Sequence, residues 1–283
     1  MRAFVLTGGA NLGAIQAGMV RALYERGIAP DLLVGSSAGA LNAAFLAERP
    51  ATSQAAVELG EVWRSLRRGD IFPLGLGAAL RAVTGSGGAL FPDRGLRALA
   101  ERHLRSPRVE DTGIPLHIVA TDALSGEQCC LSEGPLVDAV LASTALPGVL
   151  PAVEWNGRQL FDGGVVENAP IPTAISHGAT SVYVLPTGHA CALDGLPRNA
   201  LSVALHALTL LVHRQLIADI EAFRDTVELV VLPPPCPLDV GPGDFSRADE
   251  LIDRAYADGC AFLDAGGAEA PPIRMHMHAH PTV

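Results

Sequence analysis

Leu32-Leu33-Val34-Gly35-Ser36-Ser37-Ala38-Gly39-Ala40-Leu41 runs from an apolar segment, through a serine flanked by glycines, into residues that favour helix. That order predicts a strand, a sharp turn and a helix. Gly35 and Gly39 let the backbone reverse closely, and they leave Ser37 at a helix N-terminus, where free amides and the helix dipole favour negative charge. Taken alone, the pattern fits either an exposed nucleophile or a small-residue turn without chemistry.

Working outward, Thr7-Gly8-Gly9-Ala10-Asn11-Leu12-Gly13-Ala14 follows an apolar run at Ala3–Leu6 and opens a helical segment, Leu12–Arg26. Successive small residues let several backbone N–H groups converge on one anion, as in a phosphate cradle or an oxyanion hole. The phosphate reading fits badly, because G-x-G-x-x-G is missing and so are the Lys and Ser/Thr of a Walker A loop. An oxyanion hole needs backbone donors only, and Gly8, Gly9 and Ala10 supply them.

Downstream, Val153–Phe161 carries Asn156-Gly157 between alternating residues, the signature of a two-residue hairpin. Asp162 therefore sits at the exit of a strand, followed by Gly163-Gly164. Asp-Gly-Gly is common as a plain turn. Beside a nucleophilic serine and an anion loop it also suits a general base, since the glycines permit close approach.

Further strands are expected at Leu116–Ala120, Glu127–Leu131, Ser181–Leu185 and Val227–Leu232, and a helix at Ala38–Glu48. Strands alternating with helices predict a single α/β domain, a central and mostly parallel sheet flanked by helices, over residues 1–270. Residues 271–283 read as a solvated tail, although His276, His278 and His280 could hold a transition metal adventitiously. The Pro- and Gly-rich stretch Ile71–Leu90 reads as a mobile loop or as a lid over an apolar cleft. Leu201–Leu216, interrupted by His206, His213 and Arg214, reads as an amphipathic core helix rather than a membrane span.

Of 283 residues, 49% are hydrophobic and 18% charged, which suffices for a large core. A net charge of −10, with 20 scattered Lys and Arg, argues against nucleic-acid binding and leaves any transient membrane-surface contact to apolar side chains. Five cysteines without C-x-x-C spacing read as reduced, mostly buried thiols of a cytoplasmic protein, with Cys129 and Cys130 packed in a strand.

The glycine loop, the G-x-S-x-G and the Asp-Gly-Gly occur in the order and spacing of the patatin-like phospholipase family. Ala142-Ser143-Thr144-Ala145-Leu146-Pro147-Gly148-Val149-Leu150-Pro151 resembles that family's approach to its catalytic Asp, and Val119-Ala120-Thr121-Asp122 with Gly126-Glu127 resembles its upstream strand pair. The likeness runs from about Ala3 to Pro172 and implies a three-layer sandwich. By it, Ser37 is the nucleophile, Asp162 the base of a Ser–Asp dyad, and Gly8–Ala10 the oxyanion loop of a lipid acyl hydrolase acting like a phospholipase A or lysophospholipase. Neither a metal nor an organic cofactor is called for. An acyltransferase, a small-ester esterase and a non-catalytic lipid-binding regulator are the alternatives. The family usually has glycine where Ala10 stands and often a basic residue where Leu12 stands, so neutral esters are expected to serve at least as well as anionic phospholipids. His117, His206 and His213 are expected to be satisfied or surface histidines.

Overall fold

Strands buried on both faces read as apolar runs without alternation, and Ala-Phe-Val-Leu, Leu-Leu-Val and Val-Tyr-Val-Leu form the middle of one sheet. The computed structural model describes residues 1–72, 88–193, 195–197, 200–241 and 243–267. Most of the Ile71–Leu90 segment, and all of the tail with its histidines, lies outside these described residues.

Five strands run parallel: β1 (Arg2–Leu6), β2 (Leu32–Ser36), β3 (Leu116–Asp122), β7 (Ser181–Leu185) and β8 (Glu228–Val231). Three are antiparallel to their neighbours: β4 (Gln128–Leu131), β5 (Val153–Trp155) and β6 (Arg158–Asp162). The order is β5-β6-β3-β2-β1-β7-β8, with β4 also on β3. The hairpin at Asn156-Gly157 forms as expected, with both residues at positive φ (49° and 78°).

Helices cover both faces, giving three layers. Phe4, Leu6, Leu33 and Ile118 pack with α1 (Ala14–Tyr24), α2 (Ala38–Ala47), α6 (Leu136–Ser143) and α9 (Ala248–Asp264). The same layer takes in α3 (Ser53–Ser65), α4 (Arg68–Ile71) and α5 (Arg94–His103). On the other face Ala3, Val5, Val34 and Val119 meet Ile171 and Ala174 of α7 (Ile171–Ser176) and Leu216 and Ile220 of α8 (Ala200–Phe223).

The first helix is shorter than its apolar pattern. A 3₁₀ turn at Ala10–Gly13 precedes it, and Gly27 at φ 68° lies just beyond its end. All of α1 except Arg21 is buried, because α9 covers the side turned away from the sheet. Gly18 makes that crossing close: a Cβ there would strike the Ile252 carbonyl and lie 2.8 Å from the Tyr256 nitrogen.

Two expectations are corrected. The helix at Leu201–Leu216 is not a core helix: α8 packs on the sheet through its C-terminal half, and only 17% of its most apolar stretch is buried, with Val203 and Leu211 exposed. By length and composition alone it could cross a membrane, as core helices of soluble proteins also can. None of the five cysteines forms a disulfide, only Cys191 is buried, and Cys130 is exposed on β4, which among the described residues pairs with β3 alone.

Gly18→Ala is expected to destabilise the fold by about 1–3 kcal/mol, since the obstruction is backbone and cannot rotate aside. Urea unfolding checks this, and a shift of the midpoint to lower urea is the expected result.

Candidate active site

The register of one strand brings the key groups together. On β3, Val119 pairs with Ser36 and with Cys130, and the next residue, Ala120, pairs with Asp162 and with Cys129. Since β4 occupies one edge throughout, β6 continues the opposite edge where β2 stops. Ser37 and Asp162 thus leave adjoining positions of the same edge, and the Ser37 hydroxyl donates to Asp162 Oδ2 at 2.7 Å.

Ser37 caps α2 in a conformation rare for a residue with a side chain, φ 54° and ψ −125°. The turn is wedged in place. A Cβ on Gly35 would lie 2.5 Å from the Gly39 carbonyl oxygen, and one on Gly39 would strike the Leu6 carbonyl. The Ser37 N–H donates to Ser143 Oγ (2.9 Å), which itself donates to the Val119 carbonyl (2.5 Å).

Asp162 is 4% exposed, and its carboxylate accepts from Ser37 and from the Gly164 N–H (2.7 Å). Gly163 must be small, because its Cβ would strike the Val119 carbonyl. Burial raises the Asp162 pKa to about 6, against the two hydrogen bonds, which lower it. No histidine is among its partners in the described residues.

The glycine loop is clamped from four sides. Gln16 Nε2 donates to the Thr7 and Leu185 carbonyls, Thr187 Oγ1 donates to the Gly8 carbonyl, Asn11 bridges to Gly243 and Asp244, and the Gly8 N–H donates to the Asn168 carbonyl at 3.3 Å. That last bond occupies the Gly8 amide. Ala10 stands at φ 50°, where its Cβ is strained and the glycine usual in related sequences would not be. The side chain of Asn42 on α2 braces the same region, donating to the Gly13 carbonyl and Gln16 and accepting from the Trp63 indole.

Ser37, Asp162 and the loop form the floor of a cleft walled by apolar side chains, among them Leu12, Leu41, Leu99, Leu146, Leu208 and Val212. No Lys or Arg is among its described lining residues. Arg158 faces Asp122 at 3.8 Å instead. His213 of α8 lines the cleft, is 3% exposed and stacks on His189 at 4.1 Å. Ser143, Asn168 and Thr187 are the site residues that the sequence reading left without a role. Ser143 lay inside a motif already noted, whereas Asn168 and Thr187 carry no local signal.

Comparison with known proteins gives a match of residues 4–175 to the family model described as Patatin-like phospholipase. Patatin-like phospholipase domain-containing protein 7 of Mus musculus is 28% identical over 191 residues, 66% of this chain and 13% of that one. Lysophospholipase NTE1 of Mycosarcoma maydis is 28% identical over 65% of this chain and 9% of its own length. An uncharacterized NTE family protein of Mycobacterium bovis is 34% identical over 61% of this chain and 44% of its own. The chain thus spans only a small part of the first two.

The buried carboxylate has a cost for the fold. A rise from 3.8 to about 6 means that the folded state favours the protonated acid. Its contribution is best below pH 3.8, falls as pH rises to 6, and above that leaves a penalty of about 3 kcal/mol. Asp162→Asn escapes it and is expected to be more stable than the parent at pH 8, by up to about 3 kcal/mol. The gap should close near pH 4 in denaturant melts at the two pH values.

Proposed function

Since the chain belongs to the patatin-like phospholipase family, we propose that it is a lipid acyl hydrolase working through a Ser37–Asp162 dyad. The observation that carries the proposal is the 2.7 Å hydrogen bond from Ser37 Oγ to a buried carboxylate at the floor of an apolar cleft. Above pH 6 Asp162 is ionised and accepts the Ser37 proton as Oγ attacks the ester carbonyl. The amides of Gly9 and Ala10, which open a helical turn and so have no acceptor within it, hold the oxyanion. Collapse of the intermediate releases the alcohol, and water then frees the acyl group from Ser37 by the same steps. No step calls on a metal or cofactor.

The exposed Val203 and Leu211 lie on the helix whose other face lines the cleft, which supports brief contact with a lipid surface. Five cysteines without a disulfide among them support a cytoplasmic location.

A serine-directed fluorophosphonate is expected to label Ser37 alone, as read by peptide mapping, and labelling that persists in Ser37→Ala would overturn the assignment. Asp162→Asn should lose about three orders of magnitude in kcat, and the parent's kcat/KM should fall about tenfold per pH unit below 6. His117→Ala, His177→Ala, His206→Ala and His213→Ala should each keep most of the activity. A histidine variant as impaired as Asp162→Asn, with its fold intact, would replace the dyad by a triad.

The substrate prediction rests on the uncharged lining. Leu12, 3% exposed, gives the cleft an apolar lining beside the glycine loop. Binding is then driven by the acyl chain, at about 0.8 kcal/mol per CH₂. Neutral and anionic lipids with one acyl chain should show kcat/KM values at least as high for the neutral one, at low and at high salt. A salt-sensitive preference for the anionic lipid would overturn this and implicate Arg67 and Arg68, which line a groove meeting the cleft at Gly243 and Phe245.

A further inference from the structure

Three side chains with metal-ligand atoms meet on the sheet away from the cleft. His117 is the second residue of β3, Cys130 lies on β4, and His177 follows directly on α7. One ring nitrogen from each histidine and the thiol sulfur all lie within 4.8 Å of one another. None of the three lines the cleft.

Register explains the meeting. Residues i and i+2 of a strand share a face, and so do directly paired residues. His117, Val119 and Cys130, which pairs with Val119, therefore point to one side, the side on which α7 packs through Ile171 and Ala174. A polar cluster of buried Glu167 and Thr173 with exposed Gln128 ties that helix to β4: Glu167 accepts from Thr173 Oγ1 (2.7 Å) and from Gln128 Nε2, and Gln128 also donates to Thr173 Oγ1 (2.5 Å). The end of α7, with His177, is thereby held over Cys130.

From this geometry we propose that His117, Cys130 and His177 bind a zinc ion at the surface, with the fourth position open to water. One imidazole nitrogen from each histidine and one thiolate make a borderline-soft set suited to Zn²⁺ and unsuited to Mg²⁺ or Ca²⁺. Two distances bear on it. Cys130 Sγ lies 3.6 Å from His117 Nδ1, and Zn–S and Zn–N bonds of about 2.3 and 2.05 Å at a tetrahedral angle separate S from N by about 3.6 Å. His177 Nδ1 lies 2.8 Å from the Thr173 carbonyl, an acceptor only, so Nδ1 carries the proton and Nε2 the free lone pair. A backbone carbonyl in that role is the usual second partner of a zinc-bound histidine. The two rings lie 3.9 Å apart at 34°. Coordination releases the thiol proton and ties β3 and β4 to the helix that follows the Asp162–Asn168 segment.

The test uses the full chain with His276, His278 and His280 changed to Ala, so that the tail cannot compete, kept reduced with a phosphine. Titration with Co²⁺ should give one ion per chain with a thiolate-to-cobalt charge-transfer band, displaced by one equivalent of Zn²⁺, and Zn²⁺ should raise Tm. Cys130→Ser should abolish the band, Cys129→Ser should keep it, and His177→Ala should weaken zinc binding roughly tenfold or more. Cys130 and His177 are exposed, so both variants should retain the metal-free Tm and fluorophosphonate labelling of Ser37. Absence of the band, its survival in Cys130→Ser, or zinc affinity unchanged in both His177→Ala and His117→Ala would overturn the site.

Discussion

The backbone at Ser37 is the constraint on which the rest turns. Holding a non-glycine residue at φ 54° costs about 1–2 kcal/mol, and the chain accepts it because every alternative is blocked. Gly39 lies against the Leu6 carbonyl, Gly35 lies against Gly39, and Ser143 takes the Ser37 amide. Relaxing the turn would push α2 off β1 and break the bond to Ser143. Strain at Ser37 is therefore maintained by packing and hydrogen bonds spread over β1, β3 and α6.

Much of this was legible in the chain itself. Strand positions followed from apolar runs and the hairpin from Asn156-Gly157, each a local solution to a local backbone problem, whereas the pairing of Ser37 with Asp162 came from the family resemblance that the three small-residue motifs carry. What escaped was long-range. Gly8 loses its amide to the Asn168 carbonyl, 160 positions along, and Thr187 reaches the glycine loop only because β7 lies beside β1. A helical apolar pattern also says nothing of how many neighbours will cover it, so α8 read as core although its N-terminal half has few. Likewise Cys130 sits in an apolar run, yet its strand has a partner on one side only.

Burial at the site serves two opposed ends. Sealing Asp162 among Ser37, Gly164 and the end of β6 brings its pKa near the range where a base works well, and the same sealing makes the charged form a liability for the fold. The polar side chains nearby behave differently: Gln16, Asn42 and Trp63 satisfy one another and the backbone while buried, so they brace the glycine loop without adding charge.

The adjacency of Ser36 and Asp162 along β3 also separates two kinds of inheritable change. Ser37 and Asp162, the proposed nucleophile and base, are placed by a ladder of backbone pairs, whereas the walls of the cleft come from α2, α5, α8 and the loops between elements. Lengthening the segments between β4 and β6, or between β7 and α8, leaves that ladder intact. Deleting a single residue within β6 would turn the Asp162 side chain to the opposite face. The shape of the cleft can therefore change through its loops while Ser37 and Asp162 keep their places, and a change of strand length in β6 is the alteration this arrangement cannot absorb.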